Sequence, residues 1–571
     1  MYSSLAVSLL TAISLLTSTA CGAAYQRVTS PSVKVRNGSY HGILNQHYDQ
    51  DLFLGMPFAQ PPVGDLRFRQ PRSLNTTWDG SRNATAYYPE CFGYSSDDWV
   101  LGNPVSEDCL AINVVRPHGV AEGDKLPVAV WIYGGGWVAG GSQDPRYNLS
   151  FIIEQSVQMD KPMIGVSLNY RLQGWGFMYG EEIVKEGDAT NAGLHDQRLA
   201  LHWIQENIAA FGGDPRKVVI WGQSAGAESV GAHLVAYGGR DDGLFRAGIA
   251  ESGTPVSATA YVNASEWQTH YDAIVNATNC TGTADTLACL RSVDTWALND
   301  VLNSSVVSSE AYRPVIDGEI IQGSTLTQLR EGKFARVPFL IGNNFDEGTN
   351  FAEKFGAINT TAQFRNMVQS WGPNDTVIDT IDALYPDIPA IGIPTTLDGR
   401  PPPNLRGEYG YQWKRDCAFV GDIQIHALRR TTTQMWAKYG VPAYSYHFNV
   451  LVNGESPEMG ATHFQEVAFV FHNIQGLGYE TAVAVDPFAN EPETFFELAT
   501  MMSRMWVSFV NDLDPNASGT TRVHWPKYTT EAPRNMVFDV NVTNLAYIEE
   551  DYYRAAPIAY LQEQLSTAFG R

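Results

Sequence analysis

The sequence predicts an α/β fold, with a large and mostly parallel central sheet flanked by helices and carrying cap and loop insertions. Three stretches predict it. Residues 163–170 are a short apolar run, residues 194–211 repeat their apolar positions with helical spacing, and residues 218–221 (Val-Val-Ile-Trp) return to a strand pattern. A helical crossover between two buried strands is the mark of parallel pairing. Further buried-strand runs at 127–133 and 337–342 extend the same sheet.

The first twenty residues contain no charged side chain, and their apolar run from Leu5 to Leu16 is followed by Ser18-Thr19-Ala20. They read as a secretory signal cut after Ala20, with Ala24 as the rival position. No later stretch is long and apolar enough to span a bilayer, and residues 562–571 carry no lipid-anchor signal, so stable membrane anchoring is not expected. The 571 residues hold 61 acidic against 38 basic side chains, a formal charge of −23. Such a surface repels phosphate backbones, which disfavours a nucleic-acid partner. Twelve Asn-x-Ser/Thr sequons between Asn37 and Asn541 point to an extracellular, N-glycosylated product.

Six cysteines fit an oxidising compartment. With Cys21 at the signal boundary, pairing Cys91 with Cys109 and Cys280 with Cys289 closes two short local loops. Cys417 is left as a buried thiol. No Cys/His spacing suggests zinc, so no metal is expected.

The chemistry gathers at Gly222-Gln223-Ser224-Ala225-Gly226, where the 218–221 strand turns directly into a small-residue helical stretch. A serine on so sharp a turn sits in a strained backbone conformation, and glycines two before and two after leave room for it. Its hydroxyl projects from the end of the sheet, needs a histidine base, and has a helix N-terminus beneath it that favours developing negative charge. The cluster Gly134-Gly135-Gly136-Trp137-Val138-Ala139-Gly140-Gly141 follows another strand. A dinucleotide site does not fit, because position 139 is alanine and Pro145 stands where the binding helix would start. An oxyanion loop does fit: residues without side chains let backbone N–H groups approach a reacting carbonyl.

Phe53-Leu54-Gly55, Pro61-Pro62, Asp65-Leu66-Arg67-Phe68, Ser106 to Val114, and the sixteen positions from Phe211 to Gly226 together resemble the type-B carboxylesterase/lipase family, which includes the cholinesterases. Ala111 departs from the pattern, where an aromatic is usual. The resemblance covers nearly the whole chain after the signal and is strongest to a secreted fungal-type carboxylesterase. It implies a single α/β-hydrolase domain over residues 21–571 and a catalytic set in the order nucleophile, acid, histidine. After Ser224, the loop beyond residue 342 offers Asp346 and Glu347, which physical reasoning does not separate; the family uses the carboxylate just before Gly-Thr, which is Glu347. His447 in an alternating strand and His472 after an apolar run read as structural. His463 lies in a loop that resembles the family's catalytic-histidine segment. By the same resemblance the N–H groups of Gly135, Gly136 and Ala225 form the oxyanion hole. The implied reaction is acyl transfer from a small-molecule ester to serine, with no cofactor.

Two features bear on the ester. In the family's yeast-type lipases the first disulfide loop carries a long lid, whereas here it closes over 18 positions, which favours short to medium acyl esters over a lipase or sterol-esterase substrate. Trp99, beside Asp97 and Asp98, occupies the place of the cholinesterases' choline-binding tryptophan and would offer a cation–π face. Against a choline ester, Gln223 stands where cholinesterases have a glutamate. Trp99, Trp137 and Gln223 are the expected pocket residues. A non-catalytic adhesion protein on the same fold would typically lack a triad member, and all three are present. Nothing in the sequence fixes an oligomeric state.

Overall fold

A computed structural model describes residues 30–94, 102–308, 311–482, 485–520 and 523–571. Its centre is an eleven-stranded sheet. In chain order the strands are β1 (Ile43–Asn45), β2 (Gln50–Pro57), β3 (Ala111–Pro117), β4 (Leu126–Ile132), β5 (Ile164–Leu168), β6 (Gly213–Gln223), β7 (Ala247–Glu251), β8 (Phe339–Asn344), β9 (Ala443–Phe448), β10 (Arg534–Phe538) and β11 (Ala546–Glu550). Across the sheet they lie in the order β11, β10, β9, β8, β7, β6, β4, β5, β3, β2, β1.

From β5 through β10 the neighbours pair in parallel, and the pairings at both margins are antiparallel. The parallel part is covered on both faces. All residues of β5, β7, β8 and β9 are buried, which is why β5 and β8 read as apolar runs; β9 alternates in sequence yet buries Ser445 and His447 as well. Trp131 on β4 and Trp221 on β6 meet edge to face at 4.7 Å, and Phe471 stacks on Trp221 at 4.5 Å. This aromatic block fixes the strand that ends in Ser224.

The amphipathic helix expected over 194–211 forms as α1 (Ala192–Asn207), followed by a 3₁₀ turn at Ile208–Phe211. It stops at Gly212, whose φ of 90° a side chain would disfavour. Strand β6 begins at Gly213, ahead of the expected 218, with a register shift against β4 between Gly213 and Val218. Helix α2 (Ala225–Gly239) leaves the far end of β6 and packs beside α1.

Both expected disulfides are present, with Cα separations of 5.0 Å for Cys91–Cys109 and 5.7 Å for Cys280–Cys289, and Cys417 is a buried free thiol. Among the described residues no helix is long and apolar enough to cross a membrane.

Candidate active site

Ser224 sits between β6 and α2 with φ 56° and ψ −127°, a strained conformation for a residue with a side chain. The flanking glycines are a steric requirement. A Cβ on Gly222 would overlap the backbone of Gly226, and one on Gly226 would overlap the Ile132 carbonyl of β4. Ala225, whose N–H the resemblance assigns to the oxyanion hole, is the first residue of α2.

The two adjacent carboxylates beyond β8 go to different places. Glu347 is wholly buried, and its Oε2 lies 2.6 Å from His463 Nδ1. Its other oxygen accepts the Asn344 N–H at 2.7 Å and the Ser252 hydroxyl. Asp346 turns away. Its carboxylate accepts the Ala461 N–H at 2.9 Å, and its own N–H donates to the Ala461 carbonyl at 3.0 Å. Asp346 therefore clamps the loop that presents His463, and burial pushes its carboxyl up to about 7. Tertiary contact separates what adjacency in sequence left open.

Burial alone would depress the His463 imidazole. The charge and hydrogen bond of Glu347, with Glu466 and Glu228 further off, carry it above its ordinary value. Glu466 begins the short helix α3 (Glu466–Val470); its carboxylate accepts Asn344 Nδ2 at 2.6 Å and is pushed up to about 7 by burial and by the charge of Glu347. Ser252, Asn344 and Glu466 were not singled out from sequence. The available signal was positional: Ser252 follows the end of β7, beside β6, Asn344 ends β8, the next strand across, and Glu466 lies one turn after His463.

Gly135 and Gly136 have φ of 101° and 64°, and a Cβ on Gly135 would overlap the Ala139 backbone. With Gly134, Gln223, Ser224 and His463 they line one cleft of about 500 Å³. Trp137 lines a neighbouring cavity, where its Nε1 donates to Glu228 Oε2 at 2.9 Å. Gln223 does face the cleft, but its side-chain nitrogen lies 3.2 Å from His463 Nε2. Trp99 lies outside the described residues. His447 is buried in β9 and bonded to Glu549 and Arg429, and His472 bonds Thr500, so neither reaches the cleft. Among the described residues, no group of three or more His, Cys, Asp or Glu is placed to hold a metal.

A serine on a strand-to-helix turn at the carboxyl edge of a parallel sheet, with a carboxylate and a histidine contributed by later strand ends, defines the α/β-hydrolase fold. The solved EstA of Aspergillus niger shares it, with a TM-score of 0.79 at 27% identity over 95% of this chain and 99% of its own. Within that fold the chain belongs to the carboxylesterase family, whose model matches residues 29–555. Lipase 4 of Diutina rugosa is 34% identical over 92% of this chain and 95% of its own length. A secreted triacylglycerol lipase of Gibberella zeae is 33% identical over 92% and 89%.

Proposed function

We propose that this protein is a secreted serine esterase of one catalytic domain that cleaves carboxylic esters of short to medium acyl chains. The observation that carries the reading is the 2.6 Å contact between His463 Nδ1 and Glu347 Oε2, made in the cleft that holds Ser224. In the proposed cycle His463 removes the Ser224 hydroxyl proton as the oxygen attacks the ester carbonyl. The oxyanion is held by the N–H groups of Gly135, Gly136 and Ala225, and the proton passes to the departing alkoxide. Water, activated by the same imidazole, then releases the acid. Glu347 orients the ring and balances its transient charge. An apolar segment at residues 5–16, two disulfides, the sequons and the secreted relatives support export.

The acyl preference is supported by the cavity beside the nucleophile. Glu228 stands one turn along α2, its N–H bonded to the Ser224 carbonyl at 2.9 Å. It lines a cavity of only about 40 Å³ with Tyr261, Thr254, Thr325 and Arg313. A carboxylate and a guanidinium there penalise a long alkyl chain, which would strip their solvent without replacing it. The relatives named as lipases favour a longer-chain reading, and the two separate on a graded series of p-nitrophenyl esters. Hydrolysis is expected to fall beyond the butyrate ester. In Glu228→Met the octanoate-to-acetate ratio of kcat/KM is expected to rise roughly tenfold or more, since each buried methylene contributes about 0.8 kcal/mol. A maximum at palmitate in the unchanged protein would establish the lipase reading instead.

A further inference from the structure

The acceptor face of the His463 ring carries a contact that the acyl-transfer scheme does not use. With Nδ1–H committed to Glu347, Nε2 holds a lone pair and accepts. The group that meets it, at 3.2 Å, is the side-chain amide nitrogen of Gln223 rather than the Ser224 hydroxyl. Gln223 is the last residue of β6 and is 1% exposed. Its side chain lies directly against Gly134 of the glycine loop, so closely that a Cβ there would come within 3.2 Å of Oε1. The amide is therefore packed in place beside the base.

We propose that Gln223 is a positioning residue that holds His463 in its neutral, productive tautomer and opposes its protonation, yielding the Nε2 lone pair to Ser224 when substrate enters. The inference rests on the ester-hydrolase reading of the site. One lone pair serves two donors in turn: the Gln223 amide that meets it here and the Ser224 hydroxyl that uses it in the proposed cycle. Donation to neutral imidazole favours the neutral form. If Nε2 were protonated, its N–H would point at another N–H, and the arrangement would repel.

The groups around the ring act in two directions. Glu347 from the turn after β8, Glu466 from α3 and Glu228 from α2 stabilise the cation, and burial opposes it. Phe351 places its ring 4.8 Å away, and Arg146 and Glu455 stand on the cleft walls. Gln223 joins burial on the side of the neutral base. A glutamate at this position would do the reverse, accepting from Nε2–H and holding the imidazolium.

The test is kcat/KM against pH for p-nitrophenyl acetate with the intact protein, Gln223→Glu and Gln223→Met. The Gln223→Glu variant is expected to move the acid limb up by about one pH unit or more, with activity recovering on the alkaline side. Gln223→Met keeps length and burial but has no donor. It is expected to move the limb in the same direction by less, and a thermal unfolding midpoint matching that of the intact protein shows that the position tolerates substitution. Superimposed profiles, or a uniform loss at every pH as a purely structural role would give, would overturn the inference. Absence of ester turnover in the unchanged protein would overturn the hydrolase reading and this inference together; turnover with superimposed profiles overturns this inference alone.

Discussion

Replacing Ser224 by alanine is expected to lower kcat on every accepted ester by about 10³- to 10⁶-fold, the range seen when a nucleophile is removed from a serine hydrolase site. Folding should be unaffected. Serine and alanine bear the φ of 56° with nearly equal strain, and the flanking glycines that make the turn possible remain. In the proposed cycle, what disappears is the oxygen that would form the acyl-enzyme. The residual rate would come from the glycine-loop amides and His463 acting on water. Burst kinetics with p-nitrophenyl acetate provide the check: a burst in the unchanged protein and none in Ser224→Ala. Retained activity in the variant would mean that another residue carries the acyl group.

The second large effect concerns stability. Asp551 is 3% exposed and accepts from Arg429 at 2.7 and 2.9 Å, Arg430 at 2.9 Å and Tyr528 at 2.9 Å. Removing it leaves two buried guanidinium groups without their anion. Asp551→Ala is expected to cost about 3–5 kcal/mol, read as a lower urea midpoint at unchanged slope. Burial alone would raise the Asp551 carboxyl, but Arg429 and Arg430 outweigh it and hold it well below the ordinary range. A depressed carboxylate contributes fully above its unfolded value of about 4, and that contribution fades as pH falls toward the folded one. The difference between the two proteins should therefore shrink in acid. A variant within 1 kcal/mol of the parent at neutral pH would show that the network is replaceable. Arg429 also donates to Asn343 Oδ1 at 3.2 Å, so the network reaches the end of β8 from which Glu347 hangs.

Sequence made the local parts legible. The Ser224 turn, α1 and the parallel strands are written in runs of chain, where periodicity and glycine placement act over a few residues. The choice between Asp346 and Glu347 was not, because neighbours in a turn differ in direction and only the folded loop around Ala461 and His463 gives each a partner. Family resemblance supplied that choice, and in the folded loop it is Glu347 whose carboxylate meets His463. The direction of Trp137 is equally a matter of the folded loop: with a positive φ of 68° its indole meets Glu228 in the adjoining cavity. The role of Gln223 was likewise out of reach, since its partner lies 240 positions away.

That separation has a consequence for the chain during its synthesis. The glycine loop leaves β4, the serine leaves β6, the acid follows β8, and the histidine comes only after β9 has joined the sheet. A growing polypeptide thus carries its serine long before it carries a base to activate it. On the proposed reading hydrolytic competence would arrive late, when β9 has docked and the Ala461 loop has closed on Asp346, and the silence of the unfinished chain would be built into the order of the strands rather than supplied by an inhibitor.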